Sequence, residues 1–295
     1  MIIALTGSSG SIGKELFPFL EDLNHKVIQI SSSAVGNGEN IFSYDDINNQ
    51  NINLSIDIVI HLASLNSNLQ QCDIKKEVEI TKNILTFMQA INCKKIIFFS
   101  SAKVYGDNGF EQTIYNESSV LKPICSYGKA KKECEELIEN YCAEFNMHFI
   151  VLRLPPAITT NSNSNLSKLL KLSAKGFYMP TFSAGDFNLR SFISIINIKI
   201  TIDHILKNIK LIERNQIYNL SDKNSISLNQ LLGIVNSKNL IRLPSMLFYF
   251  MIKIPPFKRE VVKLFGSFML DNSKLTNDMN ITLASTLESL PINFK

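Results

Sequence analysis

The chain has 295 residues, 45% of them hydrophobic and 19% charged, a balance that suits a globular protein with a large core. Its formal charge of +4 comes from Lys and Arg scattered along the chain, which argues against the clustered basic footprint of a nucleic-acid binder. Five cysteines without a CxxC pair and four isolated histidines argue against a disulfide framework or a bound metal, and for a reducing cytoplasm.

The opening residues, MIIALTGSSG, read as a strand entering a glycine turn, without the layout of a signal peptide. Ile2–Leu5, Lys26–Ile30, Ile58–Leu62, Ile96–Phe99 and Phe149–Leu152 are short runs rich in Ile, Val or Phe, as buried parallel strands are. Between them Ile12–Leu23, Ile74–Ile91 and Tyr127–Phe145 are long enough for helices. In the last of these Ala130, Cys134, Leu137, Ile138, Tyr141 and Phe145 recur at helical spacing, with Ser126 placed as the N-cap. The alternation predicts an α/β fold over residues 1–154, a Rossmann-like doubly wound parallel sheet covered on both faces.

Residues 155–295 are patterned more loosely. Asn161–Asn165 is a polar loop and Ser183–Asn188 has turn chemistry. Helical stretches at Ile198–Ile212, Leu228–Ile234 and Ser245–Ile252 flank a strand-like Gln216–Leu220. This part reads as a smaller substrate-binding lobe, partly interleaved with the first domain. Met246–Ile254 is apolar but interrupted by Lys253 and too short to span a bilayer, so it is expected to be a buried or dimer-facing helix. The frequent Asn, Ile and Lys residues read as compositional bias.

Thr6-Gly7-Ser8-Ser9-Gly10-Ser11-Ile12-Gly13 follows the first strand and opens the first helix. Gly7 permits the tight turn, Gly10 lets backbone approach a pyrophosphate, and Gly13 lets helix and strand pack closely. The helix N-terminus at Ser11 and Ile12 favours the negative charge. The GxxGxxG spacing in this position points to a dinucleotide, NAD or NADP. An acid ending the second strand would bind the ribose hydroxyls and repel a 2′-phosphate. Here the residues are Ser31-Ser32-Ser33, which favours NADP(H), although no Arg or Lys follows to neutralise the phosphate.

Tyr127-Gly128-Lys129-Ala130-Lys131 is a YxxxK spacing on a predicted helix, which puts phenol and ammonium on one face. A free phenol ionises near pH ~10, and a neighbouring cation brings it closer to working pH. Lys131 is also placed to hold the nicotinamide ribose. Phe98-Phe99-Ser100-Ser101-Ala102-Lys103-Val104-Tyr105-Gly106 is a strand running into a polar turn, where such folds place reactive groups. A Ser101 hydroxyl there can bond the same substrate oxygen that Tyr127 protonates. Ser101, Tyr127 and Lys131 are the predicted catalytic set.

With these motifs in order, the chain resembles an extended short-chain dehydrogenase/reductase of the NAD-dependent epimerase/dehydratase family. Asp57-Ile58-Val59-Ile60-His61-Leu62-Ala63 and Leu152-Arg153-Leu154-Pro155 match further landmarks of that family. The resemblance implies that Ser101 and Tyr127 contact the reacting hydroxyl or ketone, and that Lys131, Leu62, Ala63 and Pro155 contact the cofactor. His61 becomes a structural residue beside the cofactor, and Asp45 or Asp46 touches the adenine. Arg190-Ser191-Phe192 stands where the family has an Arg motif on the substrate side, so Arg190 would clamp a nucleotide diphosphate. A homodimer is expected by the same likeness.

Dehydratases of this family carry an Asp-Glu pair after the catalytic hydroxyl. Ala102-Lys103 stand there, which argues against dehydration. The chain departs from the epimerase form at Ser191 and at Ile195-Ile196-Asn197, and Arg190-Ser191 together with Phe265-Gly266-Ser267-Phe268-Met269-Leu270-Asp271 looks more like the branch that reduces UDP-4-keto-6-deoxy sugars for surface polysaccharides of the O-antigen type. The alternative is a 4-epimerase of UDP-hexoses or UDP-N-acetylhexosamines. A third reading, a non-catalytic protein sensing NAD(P), conflicts with the intact Tyr127 and Lys131. Cys125 reads as a partly buried spectator thiol beside Tyr127.

Overall fold

The apolar runs of the first half form strands β1 (Ile2–Thr6), β2 (Lys26–Ile30), β3 (Ile41–Phe42), β4 (Ile58–His61), β5 (Lys95–Ser101) and β6 (His148–Leu154). The later Gln216–Asn219 adds β7, and the seven line up in the order β7-β6-β5-β4-β1-β2-β3. The computed structural model describes residues 1–31, 41–43, 47, 55–65, 70–106, 111–159, 164–183, 188–254, 261 and 265–290. Ser32, Ser33, Asp45, Asp46 and most of the 161–165 and 183–188 loops lie outside these residues.

β1 pairs in parallel with both β2 and β4, and β4 in parallel with β5. The chain therefore winds away from β1 in opposite directions, which makes the carboxyl ends of β1 and β4 the switch point where such sheets bind ligands. Ile3, Ala4 and Leu5 of β1 and Ile58, Val59 and Ile60 of β4 have no exposed surface. Burial on both sheet faces explains their continuous rather than alternating hydrophobicity. Helices α1 (Gly13–Asp22), α2 (Ile74–Ala90) and α3 (Ser126–Glu144) supply the crossovers. α2 and α3 contribute Ile84, Leu85, Met88, Cys134, Ile138 and Cys142 to one core cluster with the sheet.

Asn24, Asn92 and Asn146 follow these three helices with φ of 60°, 56° and 49°. Asn215 and Asn280 are left-handed too. Asn tolerates that region better than other residues with a Cβ, so it stops helices as Gly does elsewhere. At these positions the abundance of Asn has a structural use beyond compositional bias.

The chain divides into two compact units, Met1–Gly106, Val120–Arg153 and Thr201–Tyr218 in the first and Asp107–Ser119, Leu154–Ile200 and Asn219–Lys295 in the second. The second contains two-residue strand pairs such as Ala157–Ile158 with Ile193–Ser194 and Leu189–Arg190 with Ile226–Ser227, beside a four-residue pair of Met179–Phe182 with Leu240–Leu243. Its core joins Leu170, Phe182, Phe192, Leu231, Leu232 and Phe265. The helical stretch expected at Ile198–Ile212 is instead an α-helix at Ile195–Lys207 and a 3-10 helix at Ile209–Arg214. Ser245–Met251 is helical as expected, but its reading as a buried helix needs correction. Only Phe248 is buried, against Phe182 and Phe265, while Met246, Tyr249 and Phe250 are exposed. A helix this short buries one residue fully, with Met251 partly buried against the same core. Among the described residues no helix is long and apolar enough to cross a membrane.

Candidate active site

The glycine turn is shaped by contact with the end of β4. Gly7 has φ +72°, and a Cβ there would stand 2.8 Å from the Ala63 nitrogen. Only glycine fits both the backbone angle and the approach. Leu62 N–H donates to the Thr6 carbonyl at 3.2 Å, and Ala63 N–H donates to the Thr6 hydroxyl at 3.2 Å. Leu62 and Ala63 are thus fastened to the turn. A Cβ on Gly13 would stand 2.3 Å from the Gly7 carbonyl oxygen, whereas one on Gly10 would meet only that oxygen, at 3.2 Å. Gly13 is fixed by protein packing, and exposed Gly10 leaves a cradle that a Cβ would fill.

α1 begins beside this cradle, and its N-cap Ile12 places no side chain on the first N–H groups. Lys14 and Glu15 N–H already donate to the Gly10 and Ile12 carbonyls, so the N–H groups of Ser11, Ile12 and Gly13 are the ones that suit the pyrophosphate of a dinucleotide. Gly7 N–H donates to the Ile30 carbonyl at 3.1 Å, which sets Ser31 next to the turn at the end of β2. The residues present fit a nicotinamide dinucleotide.

Ser101 ends β5 and caps the following 3-10 turn, its hydroxyl accepting from Lys103 N–H at 3.2 Å. α3 packs directly on this turn: a Cβ on Gly128 would lie 2.5 Å from the Lys103 carbonyl oxygen. The glycine inside the YxxxK motif lets α3 lie this close, which brings Tyr127 beside Ser101, and the Ser101 hydroxyl lowers the phenol's pKa. Cys125, not Ser126, caps α3; its sulfur accepts from Gly128 N–H at 3.4 Å, and the residue is exposed rather than partly buried. The helix begins one residue earlier than its apolar spacing suggests, so Ser126 is its first residue.

Lys131 is buried, which rules out a solvated helical face for it. Its ammonium lies 4.8 Å from the centroid of the Phe98 ring and 5.9 Å from that of Tyr127. It also pairs with Glu77 at 3.2 Å. Burial raises the Tyr127 phenol above its ordinary range, Lys131 pulls it down, and Glu77 pushes it back up. Lys131 thus lowers the phenol, as the motif leads one to expect, but burial and Glu77 outweigh it and the phenol ionises above its ordinary range. Its own ammonium is lowered by burial, but Tyr127 and Glu77 outweigh this and it ionises above the ordinary lysine range.

His61 is fully buried, with Nδ1 2.6 Å from the Thr6 hydroxyl and Nε2 3.2 Å from the Thr81 hydroxyl. Burial first, then the Lys131 charge, holds its pKa down at about 3 against an ordinary 6.5. The imidazole is neutral and structural. An unfolded chain binds this proton near pH 6.5 and the folded one only near pH 3. Stability should therefore fall as pH drops below the upper value, approaching about 1.4 kcal/mol per pH unit. Unfolding midpoints of wild type and His61→Asn across this window measure the difference in slope. Parallel curves would remove His61 as its source.

Pro155 and Arg190 belong to the second unit. Pro155 is buried directly after β6. Arg190 is buried in its short strand, whose backbone bridges to Phe268. Ser191 Oγ lies 2.8 Å from Ser225 Oγ and accepts from Leu270 N–H at 2.9 Å. Two motifs distant in sequence, Arg190-Ser191 and Phe265–Asp271, thus meet. Asn197 donates to Asp222 at 2.6 Å and exchanges bonds with the Ala284 backbone, which gives it a structural role.

Residues 3–221 match the model of the NAD dependent epimerase/dehydratase family. The chain belongs to this family. As a member of the epimerase/dehydratase family it is an NAD-dependent enzyme. It is 26% identical to the UDP-glucose 4-epimerase of Vibrio cholerae over 309 residues, covering 98% of this chain and 89% of that one. The solved UDP-N-acetylglucosamine 4-epimerase from Bacillus cereus superposes with TM-score 0.79 at 18% identity, over 100% and 98% of the two chains. UDP-glucuronic acid 4-epimerase from Bacillus cereus, solved in complex with NAD, gives 0.73 at 20% identity, over 98% and 94%. These structures share the fold.

Proposed function

We propose that the chain interconverts the C4 epimers of a UDP-linked hexose or N-acetylhexosamine and retains NAD between turnovers. The chemistry rests on one observation, the Tyr127 ring with the buried Lys131 ammonium 5.9 Å from its centroid, on a helix packed against the turn that follows Ser101. The near full-length likeness to a UDP-glucose 4-epimerase favours this substrate class. When bound, the nicotinamide supplies the hydride acceptor and donor. In its ionised form Tyr127 would take the C4 hydroxyl proton as the C4 hydrogen leaves with its electron pair, giving a 4-keto sugar. Ser101 donates a hydrogen bond to that oxygen. Tyr127 would hand the proton back to the C4 oxygen once hydrogen is restored on the opposite face, which inverts C4. We assign Gly7, Gly10, Ser11, Ile12, Gly13, Ser31, Leu62, Ala63, Lys131 and Pro155 to the cofactor. Arg190 is assigned to the diphosphate, which its planar fork suits.

A second reading, reduction of a UDP-4-keto-6-deoxy sugar with NADPH, is favoured by Ser31, since a hydroxyl does not repel a 2′-phosphate as a carboxylate would. The dinucleotide released on denaturing the purified protein separates the two. NAD in the released fraction, with UDP-glucose or UDP-N-acetylglucosamine converted to the 4-epimer without added cofactor, is the expected result. Protein that arrives without cofactor and oxidises NADPH only with the keto sugar would establish the reductase instead.

A further inference from the structure

Glu77 lies in the first turn of α2, where an acid ordinarily needs no explanation beyond the helix dipole. Here it is 1% exposed, and a carboxylate is rarely taken that far from water without a task. Its two oxygens point in different directions. Oε1 stands 3.2 Å from Lys131 Nζ, and Oε2 accepts from Leu65 N–H at 2.8 Å. Leu65 follows Leu62 and Ala63, the segment fastened to the glycine turn. One carboxylate therefore joins the helix that carries Tyr127 to the segment that walls the cofactor cradle.

We propose that Glu77 is a positioning residue for the proton exchange at Tyr127, fixing Lys131 beside the phenol and tying both to the cofactor cradle. This rests on the reading of Tyr127 and Lys131 as the catalytic pair. The Glu77 carboxylate neighbours the Lys131 ammonium, which in turn neighbours the Tyr127 ring. The other titratable groups around them are Cys134 and Cys125 on or beside α3 and the neutral His61 on β4. With Glu77 charged, Lys131 is compensated and its pull on the phenol is partly cancelled. With Glu77 neutral, the full ammonium charge acts on Tyr127.

Glu77→Gln keeps an acceptor for Leu65 and removes the charge. The chain contains no tryptophan, so phenolate absorbance in the near ultraviolet can be followed directly. The difference between titrations with and without Tyr127→Phe isolates that one phenol. In Glu77→Gln it should ionise about one pH unit lower than in wild type, and the rising limb of the pH–rate profile should move with it. An unmoved phenol in a folded Glu77→Gln protein overturns the proposal. If that variant does not fold, Glu77→Asp, which keeps the charge but withdraws it from Lys131, is titrated in the same way. A downward shift supports the proposal and an unmoved phenol overturns it. The titration requires no substrate, so failure to epimerise any sugar would count against the proposed reaction and not against Glu77.

Discussion

Tyr127→Phe is expected to lower kcat/KM about 10²- to 10⁴-fold, the usual worth of a positioned general acid–base group. The substitution removes one oxygen and little else. The Tyr127 ring packs against the small cluster of Ile74, Val78 and Ala130, and a phenyl ring preserves those contacts and the Lys131 ammonium beside it. Cofactor content and the unfolding midpoint should therefore stay near wild type. Steady-state rates with the copurified dinucleotide quantified in the same samples provide the check. Undiminished turnover in Tyr127→Phe would sink the epimerase and the reductase together, because both pass the C4 oxygen proton through this phenol.

The first unit was largely legible in the sequence for a simple reason. Its strands are buried on both faces and so appear as uninterrupted Ile and Val runs, and the cradle needs glycines at fixed intervals because backbone meets backbone at Gly7 and Gly13. Tyr127 and Lys131 show themselves because an i, i+4 pair shares a helix face whatever the tertiary fold. Glu77 does not. In sequence it is an ordinary helical glutamate, and only the packing of α2 on α3 brings it to Lys131. The second unit was harder to read because pairs such as Leu189–Arg190 with Ile226–Ser227 are two residues long, too short for any periodicity to register. Ser191 illustrates the same limit: its likeness to a family motif was visible, but its bond to Leu270 N–H was not.

The largest effect on stability is expected from Glu135→Ala. Glu135 and Arg153 are both about 3% exposed or less, and the guanidinium donates from Nε at 3.1 Å and from Nη2 at 2.7 Å to the two carboxylate oxygens. Arg153 Nη1 donates to the Tyr105 hydroxyl at 3.0 Å, and the Ser100 hydroxyl donates to Glu135. The carboxylate thereby joins α3 to β5, to β6 and to the turn after Ser101. Burial lowers the guanidinium's affinity for its proton, but the bonds and charge of Glu135 outweigh this, so Arg153 stays charged. Truncating Glu135 would strand that charge in the core, which costs about 3–5 kcal/mol against a total stability of roughly 5–15 kcal/mol. Denaturant unfolding of Glu135→Ala should show most of this loss. The double variant Glu135→Leu/Arg153→Met, which removes both charges, should recover much of it, since a buried pair replaced by apolar side chains of similar volume is often neutral. If the double variant were as unstable as the single one, the loss would lie in packing or in the Ser100 and Tyr105 bonds, not in a stranded charge. These bonds adjoin Ser101, so activity in the folded double variant reports how far the network also sets the position of the hydroxyl that Tyr127 meets.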